Sequence, residues 1–178
     1  MESLLTGIIN FIDRLNEKVG RLASWLTAIL VVLVCYDVFT RYLLNETQAW
    51  IMELEWHLFA LVFLLGAAYA LKHDKHVRVD LFYARFSPKD KAWVNLLGGI
   101  LFLIPWTVLI IYWSFDYAQL SWSVREGSPD PGGLPARYII KFAVPLGMFL
   151  LMLQAISMVI KSVFTLKNWS YSSMEKQD

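Results

Sequence analysis

At 178 residues the chain is 57% hydrophobic, 15% aromatic and only 17% charged, more apolar than a soluble domain of this size requires. A formal net charge of +1 excludes a dedicated nucleic-acid binder, whose basic total would be far higher. The single cysteine, Cys35, excludes an intrachain disulfide.

In chain order, residues 1–21 come first. Leu4, Ile8, Ile12, Leu15, Val19 and Leu22 recur at helical spacing opposite Asn10, Asp13, Arg14, Glu17 and Lys18. This pattern predicts an interfacial helix leading into the first span. The stretch lacks a basic start, a central apolar run and a small-residue cleavage site, so no removable leader is expected and the first span is expected to target the protein. Four segments, 22–44, 50–71, 93–115 and 138–160, each reach the ~20 residues needed to cross a hydrocarbon core. No segment shows the alternation of a membrane barrel, so the fold class expected is an all-α integral membrane four-helix bundle in a single domain.

The connections fix an orientation. Residues 1–21, the basic loop 72–92 and the tail 161–178 carry twelve of the sixteen Lys and Arg, while Arg41, Arg125, Arg137 and Lys141 fall on the other side. The positive-inside rule therefore predicts cytoplasmic N- and C-termini, a cytoplasmic loop 72–92 and a periplasmic loop 116–137. In the basic loop, Val77, Val79, Leu81, Phe82 and Phe86 are interspersed among the cations, and Lys75, Arg78, Arg85 and Lys89 are expected to reach phospholipid headgroups from a segment at the membrane surface. His73 and His76 in KHDKH make a weak metal pattern among so many lysines, so no metal is expected.

Within the spans the polar residues share one layer. Asp37 and Arg41 lie near the outer end of the first span, and Glu53, Glu55 and His57 lie in the outer part of the second. Charges at membrane depth face partners, so Arg41 is expected to pair with Glu53 or Glu55 across the first hairpin. Asp116 is expected to form a second clasp with Arg137 and Lys141. His57 has no histidine on a facing span, which argues against bis-histidine haem, and neither a nucleophile elbow nor a phosphate loop is present. The residues thus predict no enzyme and no cofactor. Pro105 and Pro145 predict bends in the last two spans, and Gly66, Ala67, Ala70, Gly98, Gly99 and Gly147 offer small surfaces for close helix approach.

Three stretches, DVFTRYLLN at 37–45, LLGAAYALKHDKHVRVDLF at 64–82 and GSPDPGGLPARYIIKFAVPLG at 127–147, resemble the small membrane subunit of tripartite ATP-independent periplasmic (TRAP) transporters, the DctQ-like proteins. The resemblance runs over nearly the whole chain. It implies a bacterial inner-membrane scaffold beside a large elevator-type subunit, in a sodium-driven system to which a periplasmic substrate-binding protein delivers an organic anion. It marks Arg41, His76, Asp80, Gly127, Pro129, Gly133, Pro135 and Lys141 as family-pattern positions with structural or docking roles. The outer loop, rich in Gly and Pro and so turn-forming, offers Arg125, Asp130, Gly133 and Pro135 as candidates for docking a periplasmic partner. Two other classes compete: a self-assembling small channel or carrier built around the Asp37, Arg41, Glu53 and His57 layer, and the membrane anchor of a redox complex.

Overall fold

The computed structural model describes residues 2–75, 83 and 85–169, and these are helical apart from their connections. Helix α1 runs Glu2–Phe39 and ends in a π-helical turn, Thr40–Leu44. Helix α2 runs Ala49–Lys72. Helix α3, Pro88–Gly98, passes through a second π-helical turn, Gly99–Leu103, into α4, Ile104–Ser123. Helix α5 runs Tyr138–Leu166. α1 with its turn, α2, α3 through α4, and α5 give four helical rods long and apolar enough to cross a membrane.

The bundle is arranged around α5, which packs against each of the other helices. In its most apolar stretch 44% of residues are buried, against 11% in α1 and 11% in the α3–α4 rod, so α5 is the inner helix and those two are outer ones. Leu64 of α2 packs with Ile140 and Ala143 of α5, and farther along Leu71 packs with Leu151 and Ala155. With lipid as apolar as leucine, such contacts hold helices by close packing more than by exclusion of water. Gly147 shows how close: a Cβ there would lie 2.9 Å from the backbone oxygen of Leu64.

No break separates the expected interfacial segment from the first span. At about 1.5 Å per residue, the rod of 43 residues from Glu2 to Leu44 measures roughly 65 Å, about twice the thickness of a hydrocarbon core. Its buried stripe is Ile9, Ile12, Asn16, Gly20 and Ala23, offset from the all-apolar stripe expected from the sequence. Two contacts explain the offset. The Asn16 amide donates to Gln154 of α5 at 2.7 Å, and the absence of a side chain at Gly20 admits the ring of Tyr69 from α2.

Both proline expectations fall on described residues. Pro105 sits in the first turn of α4, directly after the π-helical turn, where the Ile104 amide bonds the Gly99 carbonyl five residues back. Pro145 lies inside α5, buried, and cannot donate to the Lys141 carbonyl. In α3, Ser87 and Asp90 form a capping box around Pro88. The first π-helical turn closes with Asn45 at φ 55°, in the left-handed region that asparagine tolerates, and the Thr40 carbonyl accepts from both Asn45 and Glu46. That double acceptance is the local structure of the DVFTRYLLN stretch.

Candidate functional site

At the end of the bundle away from the N-terminus, the connection from α4 to α5 is tied down onto α2 by one carboxylate. Glu53, buried in the second turn of α2, accepts from the Ser128 hydroxyl and, at 2.5 Å, from the Leu134 amide. Arg137 approaches it through Nη2 at 3.7 Å. The loop then closes on itself, with the Ser128 amide donating to the Leu134 carbonyl at 3.1 Å and the Gly133 amide to the Asp130 carbonyl at 3.0 Å. Only glycine fits at 133, because a Cβ would stand 2.3 Å from the Ser128 hydroxyl and 2.9 Å from Glu53 Oε2. A carboxylate taken out of water must regain its hydrogen bonds from protein, and here a loop supplies them.

A second carboxylate joins the loop to α5. Glu126 accepts from Lys141 Nζ and, at 2.7 Å, from the Ser121 hydroxyl, while the Arg137 amide donates to the Glu126 carbonyl at 2.9 Å. The hydrogen bond from Lys141 holds the Glu126 carboxyl below the usual carboxylate range, with the Ser121 hydroxyl adding to the effect. Trp122 meets Tyr138 edge-on at 4.8 Å between ring centroids, closing the loop at its base.

Several expected pairings take other partners. Arg41 bonds Asp37, one turn back on its own helix, and not Glu53 or Glu55. For Glu53 the reason is that the loop already occupies it. Glu55 Oε1 and Asp37 Oδ1 are buried without hydrogen-bond partners among the described residues. His57 makes no ion pair among the described residues; its ring lies against Trp56 at 3.9 Å and its Nδ1 bonds the Glu53 carbonyl. Asp116 is exposed and forms no clasp with Arg137 or Lys141, because Glu126 reaches Lys141 and Glu53 faces Arg137. Of the docking candidates, Arg125, Asp130 and Pro135 are exposed on the loop, while Gly133 is half-buried in it. A cavity of about 390 Å³ opens between Arg41, Glu53, Glu55, Trp56, Asp130 and Arg137, so the loop and the polar layer of the spans share one recess.

The opposite end holds a network whose partners the sequence did not indicate. Asp13 of α1 accepts from Gln154 at 3.1 Å, Ser157 at 2.9 Å and Lys161 at 2.6 Å, all on α5. Glu17 accepts from Lys72 at 2.8 Å and His73 at 3.0 Å, both at the end of α2. Residues that read as a polar outer face thus turn inward as cross-links. A usable signal was present: Gln154, Ser157 and Lys161 share one helical face, as do Asp13, Asn16 and Glu17. On the basic connection Lys75, Arg85 and Lys89 are exposed, whereas Arg78, His76 and Asp80 lie outside the described residues.

A family of tripartite ATP-independent periplasmic transporters, DctQ component, matches residues 30–165. The chain belongs to the DctQ family. Among relatives, this DctQ-family chain is similar to the C4-dicarboxylate TRAP transporter small permease protein DctQ of Vibrio cholerae, 23% identical over 170 residues that span 84% of this chain and 72% of the relative. It is also similar to the sialic acid TRAP transporter small permease protein SiaQ of Vibrio cholerae, 30% identical over 94 residues, 53% of this chain and 54% of that protein. DctQ proteins are transporter subunits of the bacterial inner membrane and not an enzyme family, and the four long apolar helices suit that setting. The matched region takes in all of α2, α3 and α4, and with them the Glu53 and Glu126 ties.

Proposed function

We propose that this DctQ-family chain is the scaffold subunit of a TRAP transporter, bracing a large elevator subunit in the membrane and helping to dock a periplasmic substrate-binding protein. The observation that carries the reading is the tied loop. Glu53 and Glu126 fix residues 124–137 on α2 and α5, and so hold Arg125, Asp130 and Pro135 outward at a constant height. A docking surface gains from such preorganisation, since little freedom remains to be lost on binding. The twelve-to-four charge split supports placing this loop in the periplasm and both termini in the cytoplasm, with Lys75, Arg78, Arg85 and Lys89 near anionic headgroups.

An organic anion is the proposed cargo, in keeping with the carboxylate substrates in the names of both relatives, and sodium is the proposed coupling ion. The large subunit would form the substrate and sodium sites. Of this chain's two π-helical turns, Thr40–Leu44 ends the first rod, and Gly99–Leu103, inside the third, consists of Gly, Ile, Leu and Phe and so offers no carboxylate, amide or hydroxyl side chain, unlike the polar broken helices that secondary transporters use for ligands. Liposomes containing this chain and the large subunit test the division of labour when sodium and binding-protein concentrations are varied separately. Arg125→Ala and Asp130→Ala are expected to raise the binding-protein concentration needed for half-maximal uptake and to leave the sodium dependence unchanged. A shifted sodium dependence would instead give this chain a direct part in translocation. Cysteine labelling with an impermeant reagent tests the orientation, with Ser128→Cys expected to react in intact cells and Lys89→Cys not.

A further inference from the structure

Between α2, α4 and α5 a groove of about 360 Å³ is polar at one end and apolar along the rest. Its polar end holds Arg137 and Lys141, each stacked on an aromatic ring: Arg137 Cζ lies 5.6 Å from the centroid of Trp56, and Lys141 Nζ 4.1 Å from that of Tyr117. Its apolar walls are Ala60 and Leu64 of α2 facing Ile140 and Val144 of α5. Glu126, the one carboxylate in the lining, is taken by Lys141. Glu53 stands beyond the groove and meets Arg137 only through Nη2 at 3.7 Å, longer than a hydrogen bond. Arg137 Nε is buried and has no hydrogen-bond partner among the described residues.

We propose that this groove binds a membrane phospholipid, with the phosphate held by Arg137 and Lys141 and an acyl chain laid along Ala60, Leu64, Ile140 and Val144. The phosphodiester oxygens offer Arg137 the hydrogen-bond acceptors that Glu53, at 3.7 Å, does not, the orphaned Nε included. Guanidinium and ammonium groups suit phosphate, and stacking on Trp56 and Tyr117 keeps both cations oriented without a ligand. The position fits as well. Arg137 and Lys141 open α5 at the end of the bundle, where headgroups lie, while Leu64 and Val144 sit deeper along the same helices. This assignment does not depend on the scaffold reading.

The full-length chain in nanodiscs of phosphatidylethanolamine and phosphatidylglycerol, doped with a phospholipid carrying a photoreactive acyl chain, tests it without any substitution. Labelling concentrated on peptides containing Ala60, Leu64 and Val144 is expected. Labelling spread evenly over lipid-facing surfaces such as residues 25–36 of α1 would overturn the assignment. Native mass spectrometry of the detergent-solubilised chain provides a second reading, in which Arg137→Gln and Lys141→Gln each lower phospholipid occupancy about fivefold. Val144→Trp, which fills the groove and keeps both cations, is expected to lower it too. Unchanged occupancy in all three variants refutes the proposal. So does displacement by inorganic phosphate as effective as that by a short-chain phospholipid, which would make the site one for a free anion.

Discussion

The two ends of the bundle are both organised by carboxylates, but they are tied in different ways. Near the N-terminus, Asp13 and Glu17 of α1 gather side chains from α5 and α2, so helix is bonded to helix. At the other end, Glu53 and Glu126 gather a backbone amide, two hydroxyls and a lysine, so a loop is bonded to helices. The first arrangement fixes how the helices sit against one another. The second fixes the shape of a connection that would otherwise cost conformational entropy to hold still. An end that only closes the bundle needs the first kind, and an end that presents a surface needs the second.

Breaking the loop end at its hub gives the largest expected effect. Glu53→Ala strands the Leu134 amide and the Ser128 hydroxyl beside an unneutralised Arg137, and is expected to cause a greater fall in melting temperature than Asp13→Ala, Glu126→Gln or Arg41→Ala, by thermal unfolding in detergent. Limited proteolysis should then cut within residues 124–137 at protease levels that leave the wild type whole. A loop as resistant as in the wild type would mean that Glu53 does not hold it.

Asp13→Ala breaks the other end. It leaves Gln154, Ser157 and Lys161 short of an acceptor, and a loss of about 2 kcal/mol is expected from thermal or denaturant unfolding. The contrast between the ends predicts that the outer loop keeps its wild-type proteolysis pattern in this variant. New cleavage there would show that the two ends are one cooperative unit.

A smaller effect at the loop end depends on pH. The Lys141 hydrogen bond keeps the Glu126 carboxyl below the range it has in an unfolded chain. A depressed carboxyl adds stability that is present above its unfolded pKa and lost as pH falls through its folded one. Acidification below the ordinary carboxylate range should therefore loosen the loop, and Glu126→Gln should flatten that acid limb. An identical acid limb in the variant would remove Glu126 as its source.

The smallest effect belongs to Arg41, 41% of whose side chain is exposed. Its bond to Asp37 is a within-helix pair, worth about 0.5 kcal/mol. A double-mutant cycle should show coupling between Arg41→Ala and Asp37→Ala, and additivity between Arg41→Ala and Glu53→Ala. The reverse result would restore the cross-hairpin pairing expected from the sequence.

The helices were legible because length and apolarity alone identify them, and the family was legible from motifs spread over most of the chain. Partner choice was not. Arg41 lies one turn from Asp37 in sequence and one hairpin from Glu53, and nothing in either position says which way its long side chain leans. Glu126 escaped notice because it sits in a connection, where no period reveals a face. Gly133 was marked by resemblance, but its reason, a Cβ colliding with Ser128 and Glu53, needed the loop's path.

The placement of α5 bears on how the protein is made. Among the described helices it comes last in chain order, yet it alone packs against every other one. While synthesis proceeds from the N-terminus, Asp13 and Asn16 wait without Gln154 and Lys161, and Glu126 waits without Lys141. The nascent chain is therefore a set of loosely related spans with open polar faces until its final span enters. A ribosome that stops before Tyr138 would release a product bearing the features by which membrane quality control recognises an orphan, and one that finishes α5 hides them together.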